Sequence, residues 1–150
     1  MKNYALASIA LITSQLIGCA SVQLGDPARS AELKKFEPKP GVAQVFVCRD
    51  NSFLGRAITP TIRIDGADVA NIRPNTFSYT EVPAGTHKVL SDTAEHNSVI
   101  DFTVQAGERK FFQSWITMGA FSGWGLIEEI NEAKGKECVT NGNLVVAVPK

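Results

Sequence analysis

The sequence predicts a mainly β domain, a sandwich or barrel, on three observations. From Val42 onward, apolar residues recur mostly with period 2, the spacing that turns one face of a strand toward a core. Turn-forming residues interrupt the pattern at short intervals, at Asp65-Gly66, Pro83-Ala84-Gly85, Ala106-Gly107 and Asn141-Gly142. Several short strands spaced in this way are the signature of sandwiches and barrels. Only residues 131–139 read as a helix of any length, and Gly135 weakens even that one.

Taken in order, residues 42–49 carry Val45 and Val47 on one face and Phe46 and Cys48 on the other. Apolar side chains on both faces predict an interior strand. Residues 61–65 alternate cleanly, with Ile62 and Ile64 inward. Asp65-Gly66 supplies the positive φ angles of a tight hairpin, and residues 69–72 form the return strand. Phe77, Tyr79 and Val82 belong to the next strand. Pro83 fixes φ at the first central position of a turn that Gly85 completes. Residues 104–110 repeat nearly the same form 22 residues later, which reads as one hairpin chemistry used twice in a meander. Ile100, Phe102 and Val104 point inward before that second turn, and residues 111–118 follow it. Residues 119–125 form a glycine-rich loop, residues 126–130 another strand and residues 144–148 a last one.

The stretch before Val42 has a different character. Lys2 gives a positive start, and residues 4–17 are apolar except for Ser8, Thr13, Ser14 and Gln15. As a helix this stretch spans roughly 21 Å, short against a hydrocarbon core of about 30 Å and suited to a signal peptide. It ends Leu16-Ile17-Gly18-Cys19, which resembles the lipobox of bacterial lipoproteins. The resemblance implies diacylglyceryl transfer to the Cys19 thiol, cleavage before Cys19 and acylation of its new amine. Two or three acyl chains anchor a protein to a membrane without a spanning helix. Ala20 stands where Asp favours inner-membrane retention in Gram-negative lipoproteins, so the resemblance points to the periplasmic side of the outer membrane. The expected organisation is a signal peptide over 1–18, a lipidated N-terminus and flexible tether over 19–41, and one β domain over 42–150. A tether of about 20 residues would reach roughly 25 Å.

With Lys2 set aside, fourteen Lys and Arg face fifteen Asp and Glu. That balance speaks against nucleic acid as a partner, since phosphate binding needs a basic excess.

Residues 36–49, Ile64-Asp65-Gly66, the strand from Phe77 to Val82, Pro83 to His87, Ala106-Gly107 and Glu132-Ala133 together resemble a family of small bacterial lipoproteins built on one domain of unknown function. The likeness runs from about Phe36 to Val139. It implies an antiparallel β-sandwich of transthyretin-like or peptidase-associated type with a short C-terminal helix, and no catalytic residues.

The residues themselves show no reactive constellation. His87 reads as a partly buried side chain satisfied by a hydrogen bond. Asp92, Glu95, His96 and Asp101 lack metal-ligand spacing and read as a solvated polar loop, so no metal and no cofactor are expected. No G-x-S-x-G elbow or phosphate-binding glycine pattern is present. Glu128 and Glu129 fall on opposite faces of a strand. Trp115, Phe121 and Trp124, around the glycine-rich loop, suit a partner-binding surface or, alternatively, cap one end of the core. With Cys19 acylated, Cys48 and Cys138 remain, an even pair that predicts a disulfide in an exported chain. The expected function is that of a non-catalytic binding or assembly module of the envelope, with a protein partner. A carrier of a small hydrophobic ligand and an immunity or inhibitor lipoprotein are the alternatives.

Overall fold

The computed structural model describes residues 22–149; the expected signal peptide and Cys19 lie outside them. The elements are α1 (Pro27–Leu33), β1 (Ala43–Arg49), β2 (Thr61–Ile64), β3 (Ala67–Asn71), β4 (Thr76–Val82), β5 (Gly85–Asp92), β6 (Asn97–Val104), β7 (Arg109–Met118), β8 (Gly123–Ile130), α2 (Glu132–Asn141) and β9 (Asn143–Leu144). The strands make a five-stranded sheet ordered β8-β7-β1-β4-β9 and a four-stranded sheet ordered β3-β2-β5-β6. The two pack face to face as the expected sandwich, with the short C-terminal helix on the outer face of the larger sheet.

The interior strand is where the pattern placed it. All of β1 is buried. Val45 and Val47 enter the core between the sheets with Ile62, Val89 and Phe112. Phe46 and Cys48 face the other way, into a second core with Phe77, Phe111, Leu33 and Val139. β2 alternates as read, with Ile62 and Ile64 buried. Asp65 (φ 51°) and Gly66 (φ 81°) close the β2–β3 hairpin with two positive φ angles, whose twist matches that of the strands they join.

Five expectations need correction. The two similar turns are corners between sheets, not hairpins. Pro83-Ala84 carries the chain from β4 in one sheet to β5 in the other, and residues 105–108 carry it back from β6 to β7. Because β7 re-enters beside β1, that pair is parallel, as is β4 with β9, so the sandwich is not wholly antiparallel. Gly85 (φ 150°) and Gly107 (φ 83°) both supply positive φ at these corners.

The described part of the expected tether, residues 22–41, is folded. Leu24 bridges to Val145, and the Gly25 N–H donates to Leu144 O. Asp26 caps α1 by accepting from the Ala28 N–H, and Pro27 sits in its first turn, where its missing N–H costs nothing. Leu33 is buried, and the Phe36 ring lies 5.6 Å from Phe46 and 5.9 Å from Phe111. The outer face of β1 needs an apolar cover, and this segment provides part of it.

Residues 119–125 are not all loop. Gly123, Trp124 and Gly125 belong to β8 and pair with Met118, Thr117 and Ile116. A side chain at Gly123 would collide with Ile58 and Ile116, and one at Gly125 with Thr93 and Ser91. These glycines therefore permit close packing rather than mobility.

The last strand shrinks to Asn143–Leu144. Beyond it, Val145 N–H donates to Phe77 O and Val148 N–H to Val69 O, so the C-terminal segment closes the side of the sandwich by bonding to both sheets.

Asn131, the expected start of the helix, is its N-cap and accepts from the Lys134 N–H. Cys48 and Cys138 are bonded, with Cα atoms 6.2 Å apart and 90 residues between them. The bridge staples α2 to the central strand. A loop of that size corresponds to about 4.6 kcal/mol in the chain-entropy account. Replacing both cysteines by Ala should therefore lower stability by about 2–5 kcal/mol, read as a shift in urea midpoint against the oxidised protein. An unchanged midpoint would contradict the staple.

Gly135 gives a second prediction. Ala in a helix interior is favoured over Gly by up to about 1 kcal/mol. Here an added methyl would stand 2.3 Å from Phe111 Cγ and 2.4 Å from its Cβ, atoms that cannot swing aside. Overpacking costs roughly 1–3 kcal/mol, so Gly135→Ala should destabilise by about 1–2 kcal/mol in the same measurement.

Candidate functional site

Strand directions sort the connections into two ends. At one end lie the turns 65–66, 83–84 and 105–108. At the other, here called the loop end, lie residues 50–60, 72–75, 93–96 and 119–122.

The loop end is organised by two charged side chains. Arg49, the last residue of β1, is 1% exposed. Its guanidinium donates to Ile58 O at 2.6 Å and Gly55 O at 2.7 Å. Burial pushes its pKa down, with Asp50 opposing. Gly55 (φ 66°) lies directly on Ile116, leaving no room for a side chain. The loop over residues 50–60 is thus pinned from below, and its tip presents Phe53 and Leu54, 83% and 50% exposed.

Glu95 organises the opposite side. Its carboxylate accepts from the N–H groups of Ala120 (2.5 Å), Phe121 (3.2 Å) and Ser122 (2.8 Å). Those bonds, the Ser122 N–H first, hold its pKa below the usual carboxylate range despite some desolvation. The β7–β8 turn is fixed in this way, with Phe121 held 97% exposed. Trp124 packs on His96, ring centroids 5.0 Å apart.

Of the three aromatic residues read as a partner surface, the structure brings Phe121 and Trp124 to this turn. It places Trp115 further along β7, half-buried opposite Leu126. The polar residues weighed for a metal are drawn apart: Asp92 binds Arg63 at 2.6 Å, Asp101 binds Lys88 at 3.1 Å, and Glu95 holds the turn. Among the described residues no three His, Cys, Asp or Glu side chains are grouped to hold a metal ion.

Sequence reasoning missed Arg49, the role of Glu95, and the apolar loop tip. The tip had a signal, since Phe53-Leu54 is an apolar pair between the polar Asn51-Ser52 and Gly55. Beside it a cleft of about 330 Å³ is lined by Asn51, Arg56, Arg73, Asn75, Thr76 and Asn143. The Arg56 guanidinium lies 6.0 Å from the centre of the Phe53 ring. Neither Arg56 nor Arg73 forms a salt bridge among the described residues.

At the far end His87 is satisfied on both nitrogens, as expected of a structural histidine. Nδ1 lies 2.7 Å from Asp65 Oδ2, and Nε2 lies 2.9 Å from Pro83 O. The ring ties the hairpin turn of one sheet to the corner that leaves the other.

A family model described as protein of unknown function (DUF2846) matches residues 39–124. An uncharacterized protein of Haemophilus influenzae is 28% identical over 145 residues, 96% of this chain and 86% of that relative. No solved structure matches. The family match spans β1 through the start of β8, so it contains both organising charges of the loop end.

The His87 pair predicts a pH dependence. The Asp65 carboxylate raises the His87 pKa, burial opposes it, and the Pro83 carbonyl adds to the rise. A raised folded-state pKa stabilises fully below the unfolded value, about 6.5, and that stability is lost as pH rises through the folded value. Asp65 is shifted the opposite way. Burial would raise its pKa, but the Lys88 N–H and His87 outweigh it and the value falls. Its share is therefore present above the usual carboxylate value and is lost in acid. Melting temperature should fall from about pH 6 to about pH 8, and Asp65→Asn, which keeps the turn, should flatten that decline. An equal decline in the variant would show that the pair does not carry it.

Proposed function

The chain belongs to the DUF2846 family, and on that footing we propose that it is a lipoprotein anchored through Cys19 to the periplasmic face of the outer membrane, whose sandwich serves as a non-catalytic binding or assembly module of the envelope. The observation that carries the reading is the lipobox-like Leu16-Ile17-Gly18-Cys19, directly after an apolar segment of signal-peptide length. The Cys48–Cys138 disulfide supports it from a separate direction, because such bonds persist in oxidising compartments.

A binding role is supported by where the polar side chains are engaged. Glu95 holds a turn, and His87 and Asp65 hold each other. The Ser91 and Ser114 hydroxyls lie 2.9 Å apart between the sheets. What faces water instead is Phe121, 97% exposed on a turn whose three backbone N–H groups donate to the Glu95 carboxylate. A rigidly presented aromatic side chain is the usual anchor of a protein contact, because little freedom is lost when it is buried.

Two readouts in one strain test the proposal. Metabolic labelling with a clickable fatty acid should mark the wild-type protein and not Cys19→Ser, which should accumulate as uncleaved precursor. A photocrosslinking residue at position 121 should capture an envelope protein, and the same residue at Ala84, at the far end, should not. Label retained by Cys19→Ser would refute the anchor. Equal capture at both positions would refute the binding surface.

A further inference from the structure

We propose that the loop end of the sandwich lies on the phospholipid surface, with Phe53 and Leu54 entering the interface and Arg56 and Arg73 meeting lipid phosphates. This rests on the anchor at Cys19 proposed above and adds the orientation of the domain.

Chain length restricts how the domain can sit on its anchor. Val22 packs against the core between the sheets, and Gln23 O accepts from the Val146 N–H. Only two residues, Ala20 and Ser21, separate Cys19 from Val22, which makes three Cα-to-Cα steps. A fully extended chain spans at most about 3.6 Å per residue, so the anchor stands within about 11 Å of the folded surface. A tether reaching roughly 25 Å would leave the orientation free; one this short restricts it.

The chain meets the fold near the loop end. Val22 lines a cleft with Thr59, Asn71 and Val148. Thr59 ends the loop that carries Phe53 and Leu54, and Asn71 pairs with Thr61 at the loop end of its sheet. The anchor therefore leaves from the loop end, not from the end that holds His87.

The composition of that end suits a lipid surface. Of the eight exposed large hydrophobic residues among the described residues, five lie here: Phe53, Leu54, Met118, Phe121 and Trp124. The turns 65–66, 83–84 and 105–108 carry none. Next to Phe53, Arg56 and Arg73 share a cleft and form no salt bridge among the described residues. An apolar tip flanked by guanidinium groups suits a bilayer surface, with rings and alkyl groups below the headgroups and cations at phosphate level. Arg49 fixes the loop carbonyls, so the tip is presented without an ordering cost at contact. Phe121 and Trp124 lie across the end from Val22, on the β8 side, where a protein in the same membrane can reach them.

The test uses the full acylated protein in vesicles of phosphatidylethanolamine and phosphatidylglycerol, with an environment-sensitive fluorophore at Leu54→Cys, at Phe53→Cys or at Ala84→Cys. Brominated lipids should quench the label at 54 and at 53 at least about twofold more than at 84, and Arg56→Glu with Arg73→Glu should reduce that difference. Two independent label sites guard against local misfolding at either one. Mass spectrometry of the same sample reports acylation. Acylated protein with all three labels equally unquenched overturns the docking while leaving the anchor in place. Unacylated Cys19 overturns both. Protection of positions 53 and 54 only when a co-purified protein is present assigns the surface to a protein instead.

Discussion

The structure depends on one strand being apolar on both of its faces. β1 is buried from end to end, so neither side of the sheet that contains it can be left to water. One side is covered by the second sheet, through Val45 and Val47. The other is covered by α2, by Leu33 and by Phe36. Everything on that outer layer reads as a consequence. The disulfide ties α2 to β1 at Cys48. Gly135 lets α2 come down onto Phe111. The segment of the chain before β1 folds back because Phe46 and Phe111, stacked 5.1 Å apart, would otherwise be exposed. Arg109 helps to hold that cover, donating to Phe36 O and to Glu132 Oε1, and so links the N-terminal segment to the start of α2.

The same strand ends in a charge to which no carboxylate of the described residues is bonded. Arg49 is buried and donates to two loop carbonyls. A buried charge without compensation is costly, and hydrogen bonds to carbonyl dipoles are what remain available to offset it. The arrangement makes residues 50–60 part of the fold rather than a free connection. Glu95 does the same for the β7–β8 turn with the opposite charge and with N–H groups instead of carbonyls. The loop end is thus built from two ions bound to backbone. Its apolar side chains stand at the surface on loops that Arg49 and Glu95 bond to the fold.

What was legible in the sequence is what short-range chemistry decides. The two-faced pattern of β1, the alternation at Ile62 and Ile64, the Asp65-Gly66 hairpin and the helix start at Asn131 each depend on a few adjacent residues, and each stands where the pattern put it. The cysteine pair followed from parity once Cys19 was assigned elsewhere. What was not legible depends on partners far along the chain. Pro83-Ala84-Gly85 has the same local form whether the next strand pairs beside β4 or crosses to the other sheet, and only the sheet order decides. Gly25, Pro27 and Pro38 look like a tether until Leu33 and Phe36 are seen to meet Phe46 and Phe111. Gly123 and Gly125 look like a mobile loop until Ile58 and Ser91 are found pressed against them. The candidate site was legible only in part. Phe121 and Trp124 were visible as aromatics near glycine, but the role of Glu95 is set by amides 25 residues away.

The folded N-terminal segment changes the functional argument more than any side chain does. A domain on a long flexible tether samples many orientations, and none of its surfaces is privileged. When the chain joins the fold at Val22, three residues from the proposed anchor, the distance to the membrane becomes a property of the structure. The corners at Pro83 and Gly107 then lie at the end away from it, with His87 tying the Pro83 corner to the Asp65 turn, and that end is free of exposed large apolar side chains. The loop end carries those side chains on a fixed frame and lies beside the point of attachment. The need to cover the outer face of β1 draws residues 24–36 onto the sheet, and that shortens the link to Cys19. Given the proposed anchor, a requirement of the core would set which end of the domain faces the bilayer.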